Sequence, residues 1–311
     1  MDGSISFTNI DTIEIPAAAG SEFDHGAFDP STRRVFVAHT ARDCVEVIDH
    51  DTRKHITTLP GFPEAAGVVA DDGQVLVTNR SAASLAWVDA RSLQTRAVFK
   101  TGPRPNGVAI VAQQKLAIAA AIGDETAGPK LHVFSLDGRQ PHSIDLPGRP
   151  RWCVTDAAGR RVFLAIRDPS MVLVARLPDL NHVEHWKIPS GGAHGLDIDH
   201  QNSHLFVACD DAMLVEVDIR AGGVCNQWPI AGAPDVTFYN PATGLVHVAI
   251  GKPGLVETID PRSGASIRTM TGAGAHTTAF VAPDCLYVFS PSHGGALVLA
   301  EASQGAARLA G

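Results

Sequence analysis

One pattern of short strands and turns occurs seven times at intervals of 40 to 46 residues, and it predicts an all-β fold: a seven-bladed β-propeller with four-stranded antiparallel blades. Two further observations point the same way. The apolar runs are four to seven residues long, rich in β-branched or aromatic residues and bounded by turn residues, so they read as strands and not as amphipathic helices. The clearest unit, 193–232, holds GLDID, LFVAC, MLVEVDI and VCNQWPI separated by HQNSH, DDA and a Gly-rich turn. Four such strands make one sheet, and one sheet alone cannot cover both of its faces.

Taken in order, the inner strands begin at His25, Ala66, Asn106, Trp152, His194, Asp235 and His276, at intervals of 41, 40, 46, 42, 41 and 41 residues. The second strands are RVFVAH, QVLVTN, KLAIAAA, RVFLAI, HLFVAC, LVHVAI and CLYVFS. The third include VEVID, LAWVD, LHVFS, VLVARL, LVEVD, LVETID and LVLAE. Between them, DPSTRR, DAAGRR and NPATGL mark one rim, where Pro presets φ, Asp and Asn cap the turn and Gly takes positive φ. The last unit, 276–301, runs out in EASQGAARLAG without a fourth strand, whereas the N-terminus has one to spare at about 5–15. The N-terminal strand is therefore expected to complete the last blade and close the ring, making 1–311 a single domain.

Over nearly all its length the chain resembles the YVTN-type β-propeller repeat family of bacteria. The likeness is carried by FDHGAFDPSTRRVFVAHTARDCVEVIDHDT at 23–52, AHGLDIDHQNSHLFVACDDAMLVEVD at 193–218 and APDVTFYNPATGLVHVAIG at 233–251. It implies a seven-bladed propeller and says little about chemistry; many members of that family are exported.

Composition narrows the function classes. A net charge of −8 without a Lys/Arg cluster argues against nucleic acid as a partner. Nowhere are there eighteen uninterrupted apolar residues, so no membrane span is expected, and MDGSISFTNIDTIEIP lacks the basic and apolar regions of a secretion signal, which implies a cytoplasmic location. Five scattered cysteines with no CxxC read as reduced, mostly buried thiols.

The starts of the inner strands converge on the axis at one mouth of the central channel. There His194, Asp235, His276 and His25 come from consecutive units, which sets three imidazoles and a carboxylate along one arc with Asn106 opposite. Such a donor set suits a divalent transition metal, Zn, Mn, Fe or Ni, and a partly open site would activate a bound water. The competing reading is that these polar groups only bond channel water or cap loops. Ends of the second strands add His39, Arg80, Arg167, Asp210, Lys252 and His293 to the same mouth.

From these residues Arg80, Arg151 and Arg167 are expected to grip a carboxylate, Asn106 and Trp152 to contact substrate, His39 to act as acid or base, and Asp235 to serve as ligand or base. Glu22, Asp24 and Glu64 are candidates to orient the imidazoles, and the longer loop at 122–130 is a candidate lid. Trp186 and Trp228 are expected between blades. GxSxG, HExxH and phosphate-binding Gly loops are absent from the sequence. The pattern points to a metal-assisted hydrolase or lyase, lactonase-like, on a small polar substrate. The alternative is a non-catalytic propeller scaffold that binds a small ligand or a protein partner.

Overall fold

The computed structural model describes residues 7–301, which form 28 strands in seven antiparallel four-stranded sheets around a central channel. Six sheets take their strands in sequence order. The seventh has Phe7–Glu14 on its outer edge, beside Gly295–Glu301, Cys285–Ser290 and Thr277–Val281. Pairing runs from Phe7 opposite Glu301 to Glu14 opposite Gly295, so the first strand closes the ring. Residues 5 and 6 of the expected strand, and the tail after 301, lie outside the described residues.

Each kind of strand owes its sequence to its radial place. Second strands such as Arg34–His39 and His204–Cys209 are buried along nearly their whole length, because neighbouring blades cover both faces. That is why they read as continuous apolar runs. Outermost strands such as Lys54–Pro60 alternate between exposed and half-buried, and charged residues like Lys54, Arg96 and Arg268 stud this free edge.

Apolar packing lies between blades. Seven clusters of buried side chains form, each drawn from adjoining blades; one joins Ile13, Tyr287 and Phe289 of the last blade to Val35, Val37 and Ile48 of the first. Trp186 and Trp228 extend this packing outward, as a Cβ at Gly222 would meet Trp186 and one at Gly264 would meet Trp228 in the preceding blade. Within blades, a buried glutamate on the third strand reaches the partner opposite it on the fourth: Glu46 accepts from Thr58 (2.6 Å) and Glu216 from Asn226 (2.6 Å). Turn residues also tie blade to blade. Asp29 caps its own turn through Thr32 and accepts from the backbone N–H of Gly73 in the next blade (3.0 Å). Among the described residues no helix is long and apolar enough to cross a membrane.

Closure by the N-terminal strand rests on one buried anchor. Ile13 is 4% exposed inside the cluster that joins the last and first blades, whereas Ile10 on the same strand is 39% exposed. Ile13→Ala is expected to cost about 2–5 kcal/mol in urea unfolding and Ile10→Ala within about 0.5 kcal/mol; equal effects would show that the strand is an ornament on the ring.

Candidate functional site

The side chains at the polar mouth are placed by β-bulges. Where the inner strands near the axis, two residues oppose one: the register shifts between Pro105 and Gly107, between Ala193 and Gly195, and between Pro150 and Cys153. Asp24 and His25 bond in the same way to the single residue Ala38, and Asp235 and Val236 to Ala249. A bulge residue is left out of the ladder and its side chain is re-aimed, here toward the channel. In three blades glycine follows, because the next blade's backbone occupies the space a side chain would need. A Cβ at Gly67 would collide with the carbonyl oxygen of Asn106, and one at Gly107 with that of Arg151.

The mouth opens into a cavity of about 450 Å³ lined by His25, His194, His276, Asp235, Arg80, Arg151 and Asn106 of the expected site residues, with the further candidates Asp24, Glu22 and Lys252. Its organisation is a chain of charged hydrogen bonds. Nε of Arg167 donates to Asp210 (2.6 Å), which accepts from Nδ1 of His194 (2.8 Å); Nε2 of His194 faces Asp235 (3.1 Å), and Asp235 accepts from Nδ1 of His276 through its other oxygen. A second chain runs from His25 Nδ1 to Asp24, and from Arg80 to both Asp24 (2.5 Å) and Asn106.

These bonds set the protonation states. Burial alone would raise Asp235, but donation from His194 and His276 outweighs it and holds the carboxyl well below its usual range. Asp210 likewise loses the contest between burial and its bonds to His194 and Arg167, and falls to about 2. Burial alone would lower both imidazoles; their bonds to these carboxylates win, and His194 and His276 are shifted up. His194 has a carboxylate at each nitrogen, an arrangement that favours its charged form and leaves neither nitrogen free for a metal. His276 keeps Nε2 unbonded among the described residues.

Two arginines near this mouth are left without a hydrogen-bonded partner among the described residues. Arg80 and Arg167 are paired with Asp24 and Asp210, whereas Nε of Arg149 and of Arg151 is buried with no hydrogen-bond partner among the described residues. Burial, reinforced by the charge of Arg149, depresses Arg151, yet an arginine starts so high that it stays charged.

Several expected residues sit elsewhere. His39 is fully buried inside the first blade, with Nδ1 donating to Glu46 (2.8 Å) and Nε2 accepting from Ser21 (2.7 Å), so it cannot serve the mouth as acid or base. It belongs instead to the one group of three ligand-type side chains, His39, Cys44 and Glu46, whose donor atoms lie within 4.8 Å of one another among the described residues. His25, His194, His276 and Asp235 share a cavity but do not make such a group, because Asp235 lies between two imidazoles as their acceptor. Trp152 stands one place beyond the bulge register that Arg151 occupies, and stacks on His25 with ring centres 3.8 Å apart. Arg167 reaches the site only through Asp210. Of the candidate orienting carboxylates, Asp24 holds His25, Glu22 lines the cavity, and Glu64 accepts from Ser81 (2.7 Å) instead. The loop at 122–130 folds around Asp124, which caps Thr126 and Ala127, and lines no part of the cavity. Asp210 as the holder of His194 is the partner that the sequence alone does not reveal.

No protein-family model matches the chain, and no curated protein does either. Among solved structures the chain is similar to Kuenenia stuttgartiensis hydrazine synthase, with a TM-score of 0.78, 14% identity, and coverage of 96% of this chain and 98% of that one. The likeness is one of fold alone. It agrees with the seven-bladed architecture and carries no chemistry to the mouth.

The paired imidazolium makes stability depend on pH in a definite sense. A group whose folded pKa is raised stabilises fully below its unfolded value, near 6.5 for histidine, and the benefit fades as pH rises through the folded value. The deficit of His194→Gln relative to the native chain, measured by urea midpoints, is expected to be largest near about pH 6 and to shrink toward about pH 9. A deficit independent of pH would mean that His194 is held as a neutral ring.

Proposed function

We propose that this chain is a YVTN-type propeller acting as a hydrolase or lyase on a small polar substrate that carries an anionic group, bound at the polar mouth. What carries the reading is one juxtaposition: Arg151, whose Nε has no partner among the described residues, lines the same cavity as His276, an imidazole fixed at Nδ1 by Asp235 and unbonded at Nε2 among those residues. Arg151 and Lys252 supply charge for the substrate's anionic group or for an oxyanion that develops in reaction. His276 exchanges the proton, with Asp235 fixing its tautomer and stabilising its charged form. His194, its charged form favoured by Asp210 and Asp235, positions Asp235. A lactone or ester bearing a carboxylate is the substrate class that uses both features.

A divalent metal is the second reading, and one observation favours it. His25 and His276 each have Nδ1 tied to a carboxylate and Nε2 unbonded, the way metal-binding imidazoles are commonly oriented. Two nitrogens fall short of the three protein ligands of a catalytic site, and no third donor joins them within ligand range among the described residues.

The test is a panel of small carboxylate-bearing lactones and esters, with elemental analysis of untagged protein. Arg151→Met should raise KM about tenfold or more, and His276→Gln should lower kcat by about 10²–10⁴-fold. Activity should climb as pH rises through the raised pKa of His276, since a base must be neutral to accept a proton. Binding of the panel without turnover would leave the ligand-binding scaffold reading standing. Neither binding nor turnover would remove the proposal, and a stoichiometric metal whose removal abolishes activity would replace it with the second reading.

A further inference from the structure

The other end of the channel is of opposite character. A second cavity, of about 400 Å³, is walled by aromatic and aliphatic side chains, among them Phe28, Ile110, Trp152, Phe238 and Phe280. His25, stacked on Trp152, lines both cavities and stands where they meet. Into this apolar wall the fold sets one carboxylate, Asp197, on the inner strand Ala193–Asp199.

Asp197 has a structural task. It accepts the backbone N–H of Ile198 (2.8 Å) and, across the blade boundary, that of Tyr239 (2.6 Å). Neither donor is a cation, and no charged partner reaches the carboxylate among the described residues. Burial drives its pKa up to about 7, with the two N–H groups opposing the rise. An anion held this way lacks only a counter-charge, and the faces of phenylalanine attract cations in a desolvated setting.

We infer that this end of the channel is a binding site for a small organic ammonium ion, whose charged head meets Asp197 while its alkyl or aryl body packs against Phe28, Phe238 and Phe280. An organic anion would be repelled there, and a strongly hydrated divalent ion would find one carboxylate among aromatic walls. The inference uses none of the groups assigned a chemical role at the polar mouth, so the two readings stand or fall separately.

The other ionisable groups on the cavity wall are His25, Cys153 and His200. Burial holds the thiol of Cys153 up at about 12 and pulls His200 below the ordinary imidazole range. Tyr239, which donates its backbone N–H to Asp197, commits its phenol to Asp199 (2.8 Å).

Benzylammonium, with benzyl alcohol as the uncharged match, tests this on the full chain by calorimetry. Because only ionised Asp197 offers the charge, benzylammonium affinity should rise about tenfold between about pH 6 and about pH 8, while that of benzyl alcohol stays flat. Asp197→Asn should remove the rise and bring the two affinities together, which also separates Asp197 from any titration of His25. Should that variant fail to fold, Phe280→Leu should weaken the ammonium more than the alcohol. Equal binding of both compounds, no binding of either, or an unchanged rise in Asp197→Asn would each overturn the inference.

Discussion

The two-against-one bulge where the inner strands of the first six blades near the axis is the constraint on which the rest of the channel mouth depends. Strands converging on a common axis cannot all keep a regular ladder to its end, because side chains from adjacent blades would overlap. A bulge solves this by leaving one residue unpaired and turning it into the channel. In three blades the next residue is glycine, since the neighbouring inner strand presses against it, as Asn106 presses on Gly67. One dipeptide thus does two jobs: in Asn106-Gly107 and His194-Gly195, the first residue faces the channel and the second makes room for the adjacent blade.

This explains how much of the site was legible in the sequence. The repeat, the ring closure and the convergence of His25, His194, Asp235 and His276 follow from strand period and spacing. Asn106-Gly107 and His194-Gly195 mark their bulges directly, so those registers come out right; in the first blade Asp24 and His25 share the bulge opposite Ala38, so the register residue is Asp24 and His25 stands one place beyond it. In the fourth blade the bulge residues are Arg151 and Trp152 with Cys153 behind them and no glycine to mark the place. Counting from the apolar run therefore lands on Trp152, and the residue that faces the mouth is its neighbour Arg151. His39 illustrates a different failure. It ends a second strand, the most enclosed strand of a blade, and a polar residue closing such a run is held by partners inside its own blade, Glu46 and Ser21. Polarity signals a partner; it does not say on which side.

Pairings were less legible than positions. Asp210 and Arg167 are both visible as rim residues, yet their bond arises from the approach of two adjacent blades, and the grip of Asp210 on His194 from the bulge that turns His194 toward the end of its own blade's second strand. The order Arg167, Asp210, His194, Asp235, His276 alternates in sign and spans four blades. No step in that order is local in sequence except within the fifth blade. The alternation matters because an imidazolium between two carboxylates would be costly to bury if either were missing. The row therefore behaves as one unit, with His276 at its open end as the member left with a free nitrogen.

Asp235 and Asp197 show how one channel can hold two carboxyl groups in opposite states. They belong to adjacent blades and both are half-buried, so exposure does not distinguish them. Asp235 lies between two imidazoles whose bonds and charge overcome its desolvation, and it remains an anion. Asp197 receives only two backbone N–H groups among apolar side chains, and desolvation prevails, lifting it to about 7. Neighbours decide the outcome. The channel is consequently polarised along its axis, with fixed charges and spare cations at one mouth and an apolar wall with a single adjustable charge at the other. Two ends so different in chemistry would not bind the same ligand, and the stacked rings of His25 and Trp152 mark the boundary between them.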